Sequence, residues 1–191
     1  KPISECEPKW ATEECKDIRC QDKKAALEMI KVVEQHRMNL DSIGSKVELQ
    51  ISGMPMGIGE PWFDGLEPAL ARALMAIPAA RAIEFGEGIS AVKMHGSEHN
   101  DSWKNDSGNP ELSLSADGAL GGFSTGAPLR IKVHFKPPSS ISKTQTTLNI
   151  KSGNQEELSV KGRHDPVIGP RAAPVVQSVC ELVITDLILR K

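Results

Sequence analysis

Seven residues, Leu129-Arg130-Ile131-Lys132-Val133-His134-Phe135, alternate apolar and polar without a break. Only a half-buried strand accommodates that period, because successive side chains of a strand leave on opposite faces. Leu129, Ile131, Val133 and Phe135 line one face, and His134 looks the other way. Lys46–Ser52, with Val47, Leu49 and Ile51, is a second strand of this kind. Two short strands are expected at Ala80–Phe85 and Ser90–Met94 about the turn Gly86-Glu87-Gly88. Thr146–Ile150 and Leu158–Lys161 should form a hairpin about Ser152-Gly153-Asn154.

Helical spacing appears three times. Asp22–Arg37 places Ala26, Leu27, Ile30, Val32 and Val33 at helix-compatible intervals, with His36 at its polar end facing solvent. Asp64 and Glu67 have capping-box spacing ahead of Leu66, Leu70, Ala73, Leu74 and Ile77, and Pro78 stops that helix. Ala172–Arg190 is apolar around most of its circumference, so burial on several sides is expected. Tight turns between the strands imply antiparallel pairing, which makes the fold class α+β rather than a doubly wound parallel sheet. Residues 1–21 are charged and aperiodic and read as a loosely ordered lead-in to a domain over 22–191.

Composition narrows the function. Aromatic residues make up 4% of the 191, with no tyrosine, which leaves no stacking platform for nucleic acid. A net charge of −2 gives no basic field for a phosphate backbone, though a small anion needs only a few local cations. The apolar run Val175–Leu189 is interrupted by Gln177, Glu181 and Asp186 and reads as too short and polar for a membrane span. The chain starts at Lys1 and shows no signal peptide, as a fragment or a processed product would. Cys6, Cys15, Cys20 and Cys180 fit no common zinc spacing. They read as free thiols of a reducing cytoplasm, with a disulfide or metal site as the alternative. His95 and His99 have H-x3-H spacing, but Gly96 and Ser97 directly after a strand make the helix needed for a shared metal improbable.

Four glycine- or proline-framed loops remain: Gly57–Asp64, the Gly118–Gly126 turn, Lys136–Ile141 and the Arg-His-Asp loop. The segment Gly53–Pro61 lacks the Lys-Ser/Thr ending of a nucleotide-binding P-loop. Gly121 and Gly122 let backbone approach a planar ligand. Lys136, Ser139 and Ser140, framed with Pro137 and Pro138, offer an ammonium and two hydroxyls suited to phosphate. In Gly162-Arg163-His164-Asp165-Pro166 the proline disfavours the α region for Asp165. An extended segment then turns Arg163 and Asp165 to one face and His164 to the other. Any one of these loops alone reads as an ordinary solvated turn.

Together and in order they resemble the C-terminal half of chorismate synthases. The resemblance runs through Arg19-Cys20-Gln21-Asp22, Asp41-Ser42-Ile43-Gly44, Gly59-Glu60-Pro61, Ala76-Ile77-Pro78-Ala79, Gly96-Ser97-Glu98 and Asn100-Asp101. It continues in Leu120-Gly121-Gly122-Phe123-Ser124-Thr125-Gly126, Lys136-Pro137-Pro138-Ser139-Ser140-Ile141, Gly162–Pro166, Pro170-Arg171-Ala172 and Asp186–Arg190. It implies a layered α+β sandwich of antiparallel sheets and helices, assembled as a cytoplasmic homotetramer. The implied enzyme is a lyase of the shikimate pathway. It eliminates phosphate from 5-enolpyruvylshikimate 3-phosphate to give chorismate, using reduced FMN without net redox change. By residue match, flavin contacts fall on Pro78, Ala79, Gly121, Lys136, Pro137, Pro138, Ser139, Ser140 and Arg163, and Asp165 takes the proton.

Two departures stand out. Leu114-Ser115-Ala116-Asp117-Gly118-Ala119 replaces a family run of Asn-Asn/His-Ala-Gly-Gly, and Asp117 brings in a negative charge. Pro138 stands where the family often has threonine. The family's Gly-Glu-Ser-His-Gly motif, its second catalytic histidine and most of its substrate-binding arginines belong to the N-terminal half and have no counterpart here. The chain alone is therefore expected to be inactive. The alternative is a non-catalytic flavin- or anion-binding module, or a structural remnant.

Overall fold

The computed structural model describes residues 10–100, 102–106, 109–112 and 117–190. In chain order the elements are α1 (Glu13–Ile18), α2 (Lys23–Met38), β1 (Ser45–Ile51), α3 (Leu66–Met75), β2 (Ala80–Phe85), α4 (Gly96–His99), β3 (Trp103–Asp106) and β4 (Asn109–Leu112). They continue as β5 (Ala119–Leu120), β6 (Phe123–Ser124), β7 (Leu129–Phe135), β8 (Gln145–Leu148), β9 (Gln155–Leu158) and α5 (Gly169–Leu189). Antiparallel pairing joins β2 to β7, β3 to β4, β5 to β6 and β8 to β9. The class is α+β. The chain divides into two compact units, Lys1–Ser45 with Lys136–Ala173 and Lys46–Phe135 with Pro174–Lys191.

In the first unit, α2 begins where its cap requires: Asp22 Oδ1 accepts the Ala25 N–H at 2.7 Å, satisfying an otherwise orphaned donor. His36 and Arg37 lie in its last turn, where cations suit the helix dipole. Within the stretch read from sequence as a lead-in, residues 13–18 form α1, capped by Thr12, whose Oγ1 accepts the Cys15 N–H. Packing of α1 on α2 leaves Cys15 and Ala26 without solvent contact. The β8–β9 hairpin pairs Leu148 with Gln155 and Gln145 with Leu158. Its strands are displaced toward the chain start relative to the sequence expectation. The Asn149 side chain accounts for this turn, since its carbonyl oxygen accepts the N–H groups of Lys151 and Ser152.

In the second unit, β7 is the central strand of a sheet ordered β1-β7-β2. Its burial alternates without a fault, so that Leu129, Ile131, Val133 and Phe135 enter the core. Val133 faces Ile83 and Ile131 faces Phe85, with a bulge between Ala80 and Ala82. On the other face His134 Nε2 lies 2.6 Å from Glu84 Oε1. Helix α3 adds Leu66, Leu70 and Leu74, and α5 adds Val176, Cys180, Ile184 and Leu187.

Four expectations are corrected here. The expected strand Ser90–Met94 is instead a 3₁₀ segment, Gly88–Lys93. Gly86 and Gly88 both adopt left-handed φ, and Glu84 Oε2 accepts the Ile89 N–H, so the chain coils back locally instead of extending. Asp64 does not cap α3. It lies in a 3₁₀ turn, Trp62–Asp64, and Gly65 is the cap, with the Leu66 N–H satisfied by the Gly122 carbonyl at 2.8 Å. A helical turn does form at Gly96–His99, because Glu98 Oε2 accepts the His95 N–H at 2.8 Å. Finally, α5 begins at Gly169. At 21 residues and mean hydropathy 1.6 it is long and apolar enough by composition to cross a membrane, and it is buried along one stripe rather than on several sides.

The loop Gly53–Pro61 and the Gly118–Gly126 turn are locked together by backbone contact. Ser124 Oγ, buried, donates to the Pro55 carbonyl at 2.6 Å and accepts the Ile58 N–H at 2.8 Å. A Cβ on Gly122 would stand 2.3 Å from the Glu60 carbonyl oxygen, whereas one on Gly121 would meet nothing within 4 Å. Both have left-handed φ. Gly122→Ala should therefore destabilise the protein by about 2 kcal/mol or more. Gly121→Ala should cost only about 1 kcal/mol, the backbone penalty alone. Urea unfolding of the two variants measures the difference.

Candidate functional site

The two anion-suited loops of the first unit hang on one short turn. Asp41-Ser42-Ile43 follows α2, and each residue makes a distinct contact. Ser42 Oγ donates to the Pro138 carbonyl at 2.7 Å, fixing the Lys136–Ser140 loop. The Ile43 N–H donates to the Pro166 carbonyl at 2.8 Å, fixing the end of the Arg-His-Asp loop. Asp41 Oδ2 pairs with Lys143 Nζ at 2.9 Å, and the Lys143 N–H donates to the Leu40 carbonyl at 3.0 Å. Lys143 and the Ser42 N–H hold the Asp41 carboxyl below its ordinary range. In the sequence this turn carries a family resemblance and no assigned role. Its signal was the short polar pair between a helix end and a strand, where side chains can satisfy foreign carbonyls.

Within the loops the charges are unequal in their commitments. Lys136 Nζ lies 3.3 Å from Ser139 Oγ and has no carboxylate partner among the described residues. Arg163 is exposed and likewise has no ion pair among them. Asp165 is held by Arg171, through its Oδ2 and the Arg171 Nη1. Arg171 is thus the arginine committed to Asp165. His164 Nε2 lies 3.2 Å from the Val160 carbonyl, a supporting contact behind the loop. Val160 is itself tied to residues 141–142, since its N–H donates to the Ile141 carbonyl and its carbonyl accepts Ser142 Oγ.

Pro78, Ala79 and Gly121 belong to the second unit. Ala79 sits at φ 70°, a conformation costly for a residue with a Cβ, in the tight turn that leads α3 into β2. Gly121 opens to free space, and Gly122, its neighbour, is consumed by internal packing. Of the glycine pair, only Gly121 presents backbone outward.

Asp117, the charged departure noted in the sequence, is tied into the local structure. Its Oδ1 accepts the Glu87 N–H at 3.2 Å, and its Oδ2 lies 3.3 Å from His99 Nε2. Gly86 provides the space, since a Cβ there would overlap Asp117. Burial, reinforced by the Asp117 charge, pushes the Glu67 carboxyl up. The thiols of Cys15, Cys20 and Cys180 are free, and Cys6 lies outside the described residues. Burial and the neighbouring Glu181 push Cys180 up to about 12, which removes it from nucleophilic chemistry.

Two outcomes test this geometry. Ser42→Ala should cost about 1 kcal/mol in urea, with faster amide exchange over residues 136–143. The second concerns Glu67, whose raised pKa means the folded protein holds this proton more tightly than the unfolded chain does. Stability from this group therefore grows as pH falls through the raised pKa toward the ordinary 4.5. Glu67→Gln should be more stable than wild type at pH 7, and the advantage should vanish below pH 4.5. Denaturant midpoints across that range decide it.

Comparison with known proteins gives a consistent result. The family model described as chorismate synthase matches residues 3–189. The chorismate synthase of Aeropyrum pernix is 46% identical over 173 residues, covering 90% of this chain and 46% of that protein. That of Methanosarcina barkeri is 45% identical over 174 residues, covering 91% and 48%. That of Roseiflexus castenholzii is 40% identical over 176 residues, covering 91% and 49%. A solved structure, described as the crystal structure of chorismate synthase, superposes with TM-score 0.72 at 20% identity. The match covers all of this chain and 54% of that one, and shows the shared fold. The chain spans about half the length of the curated relatives it matches.

Proposed function

This chain belongs to the chorismate synthase family, and we propose that it supplies the cofactor-holding half of such an enzyme. The reaction is loss of phosphate from 5-enolpyruvylshikimate 3-phosphate to give chorismate, in aromatic amino acid biosynthesis, with reduced FMN. A cytoplasmic location and homotetrameric assembly belong to the same reading. The observation that carries it is the Ser42–Ile43 turn. It fixes the Lys136–Ser140 loop and the Arg163–Pro166 loop, leaving Lys136 and Arg163 without carboxylate partners among the described residues.

The donor set fits a flavin phosphate. The Lys136 ammonium with the Ser139 and Ser140 hydroxyls can make charge-assisted bonds to phosphate oxygens. Arg163 adds a planar guanidinium capable of a two-pronged contact. Pro137 and Pro138 restrict the loop and remove two backbone donors. Ser42 takes up the Pro138 carbonyl. Bound there, reduced FMN supplies an electron-rich ring that assists departure of the allylic phosphate.

Asp165 is the proton acceptor in this proposal. Arg171 engages its Oδ2, orienting the carboxylate, and leaves Oδ1 to take the proton. The acids that complete proton transfer belong to the half of the family sequence that this chain does not match.

Two measurements test the reading. Flavin fluorescence titration with FMN should show Lys136→Ala and Arg163→Ala each weakening binding about tenfold, the loss of one charge-assisted contact. Unchanged affinity in both variants would place the flavin elsewhere. In an anaerobic assay with reduced FMN the chain alone should yield no chorismate. Product from the chain alone would sink the half-enzyme reading, and absence of any FMN binding would favour a structural remnant.

A further inference from the structure

The chain around Arg163 closes back on itself. His164 Nε2 lies 3.2 Å from the carbonyl of Val160, four residues earlier. A carbonyl oxygen only accepts, so Nε2 carries the proton and donates it. Gly162 makes the return possible. Its φ of 135° is one that residues with a side chain rarely adopt, and a Cβ there would already stand 3.6 Å from His164 Nε2. The imidazole therefore lies against Gly162 and is half-buried, while Arg163 between them is exposed.

The acceptor is itself held in place. The Val160 N–H donates to the Ile141 carbonyl at 3.2 Å, and the Val160 carbonyl also accepts Ser142 Oγ at 3.2 Å. Ser159 Oγ donates to the Ser142 carbonyl at 2.7 Å. Residues 141 and 142 directly follow the Lys136–Ser140 loop. One end of the Arg163 loop is thus clamped to the tail of the Lys136 loop, and its other end, Pro166, is held by Ile43. His164 is the side chain through which the Arg163 loop joins that clamp.

We infer that His164 is a positioning residue: by its bond to Val160 it sets where Arg163 stands relative to the Lys136 loop. This rests on the flavin-phosphate reading above and assigns His164 no contact with the ligand. Without the tether, Arg163 follows a glycine of wide backbone freedom, and fixing it on an anion costs conformational entropy at the moment of binding. With the tether, that cost falls on folding instead, which is preorganisation. A guanidinium gains most from it, because its planar fork binds two phosphate oxygens only in a narrow range of orientations.

Fluorescence titration of the chain with FMN and with riboflavin is the test. His164→Ala should weaken FMN binding about fivefold and leave riboflavin binding unchanged to within about twofold. His164→Gln, whose side-chain amide N–H reaches toward the same carbonyl, should restore FMN affinity to within about twofold of wild type. In the Arg163→Ala background His164→Ala should cost nothing further, because no guanidinium is left to place. Should His164→Ala lose its native circular dichroism, His164→Leu replaces it, keeping bulk against Gly162 while lacking the donor. Losses that add in the double variant, equal losses for FMN and riboflavin, or a glutamine variant as weak as alanine would each overturn the proposal. Wild-type FMN affinity in His164→Ala or its leucine replacement overturns it as well, and leaves the flavin reading standing. No FMN binding by the wild-type chain overturns both.

Discussion

The hydroxyl of Ser42 and the N–H of Ile43, adjacent in sequence, reach two carbonyls far along the chain, those of Pro138 and Pro166. The site in the first unit depends on this pair of bonds. Both acceptors are proline carbonyls, and each closes a loop that carries a cation and has little regular structure of its own. Loops without internal ladders need such external anchors to present charge in a fixed place. Asp41 completes the turn by drawing Lys143 to itself. That pairing leaves Lys136 as the ammonium of this loop without a carboxylate partner among the described residues. Similarly Arg171 is committed to Asp165 and Arg163 is not. The turn therefore helps sort structural cations from available ones.

The second unit relies on close backbone approach instead. Gly59, Gly65 and Gly122 stand so near one another and the Glu60 carbonyl that no side chain fits between them. Ser124 staples the same region to Pro55 and Ile58. The outcome is a rigid base from which Gly121 projects. Asp117 belongs to this economy of short contacts too. Its charge, a departure from the family run, faces His99 and the Glu87 N–H.

Elements with a strong period were legible in advance. Strand β7 matches its seven alternating residues end to end, and α2 starts at the residue after the Asp22 cap. The misreadings have different causes, one tertiary and the others local or compositional. Asp64 and Glu67 spell a capping box, yet Gly122 supplies the carbonyl that caps α3, and nothing near Asp64 in sequence announces it. Ser90–Met94 has strand-like residues, but two left-handed glycines coil the chain first. Helix α5 was legible as a helix and not as a half-buried one, because composition reports how apolar a surface is and not which partner covers it. The candidate loops were singled out as a set through family resemblance. The contacts that join two of them were not, since a hydroxyl donating to a carbonyl 96 residues away leaves no spacing signal.

The chain, which spans about half the length of the curated relatives it matches, carries a candidate anion-binding pair of loops and an apolar helix face. The central claim is that the loops recognise the phosphate of a flavin mononucleotide rather than its ring alone. The most direct measurement compares FMN with riboflavin, which carries the same ring and lacks the phosphate, by fluorescence titration of the same protein sample. The account predicts that riboflavin binds at least tenfold more weakly, the loss expected when charge-assisted contacts are removed. Equal affinity for the two would contradict it.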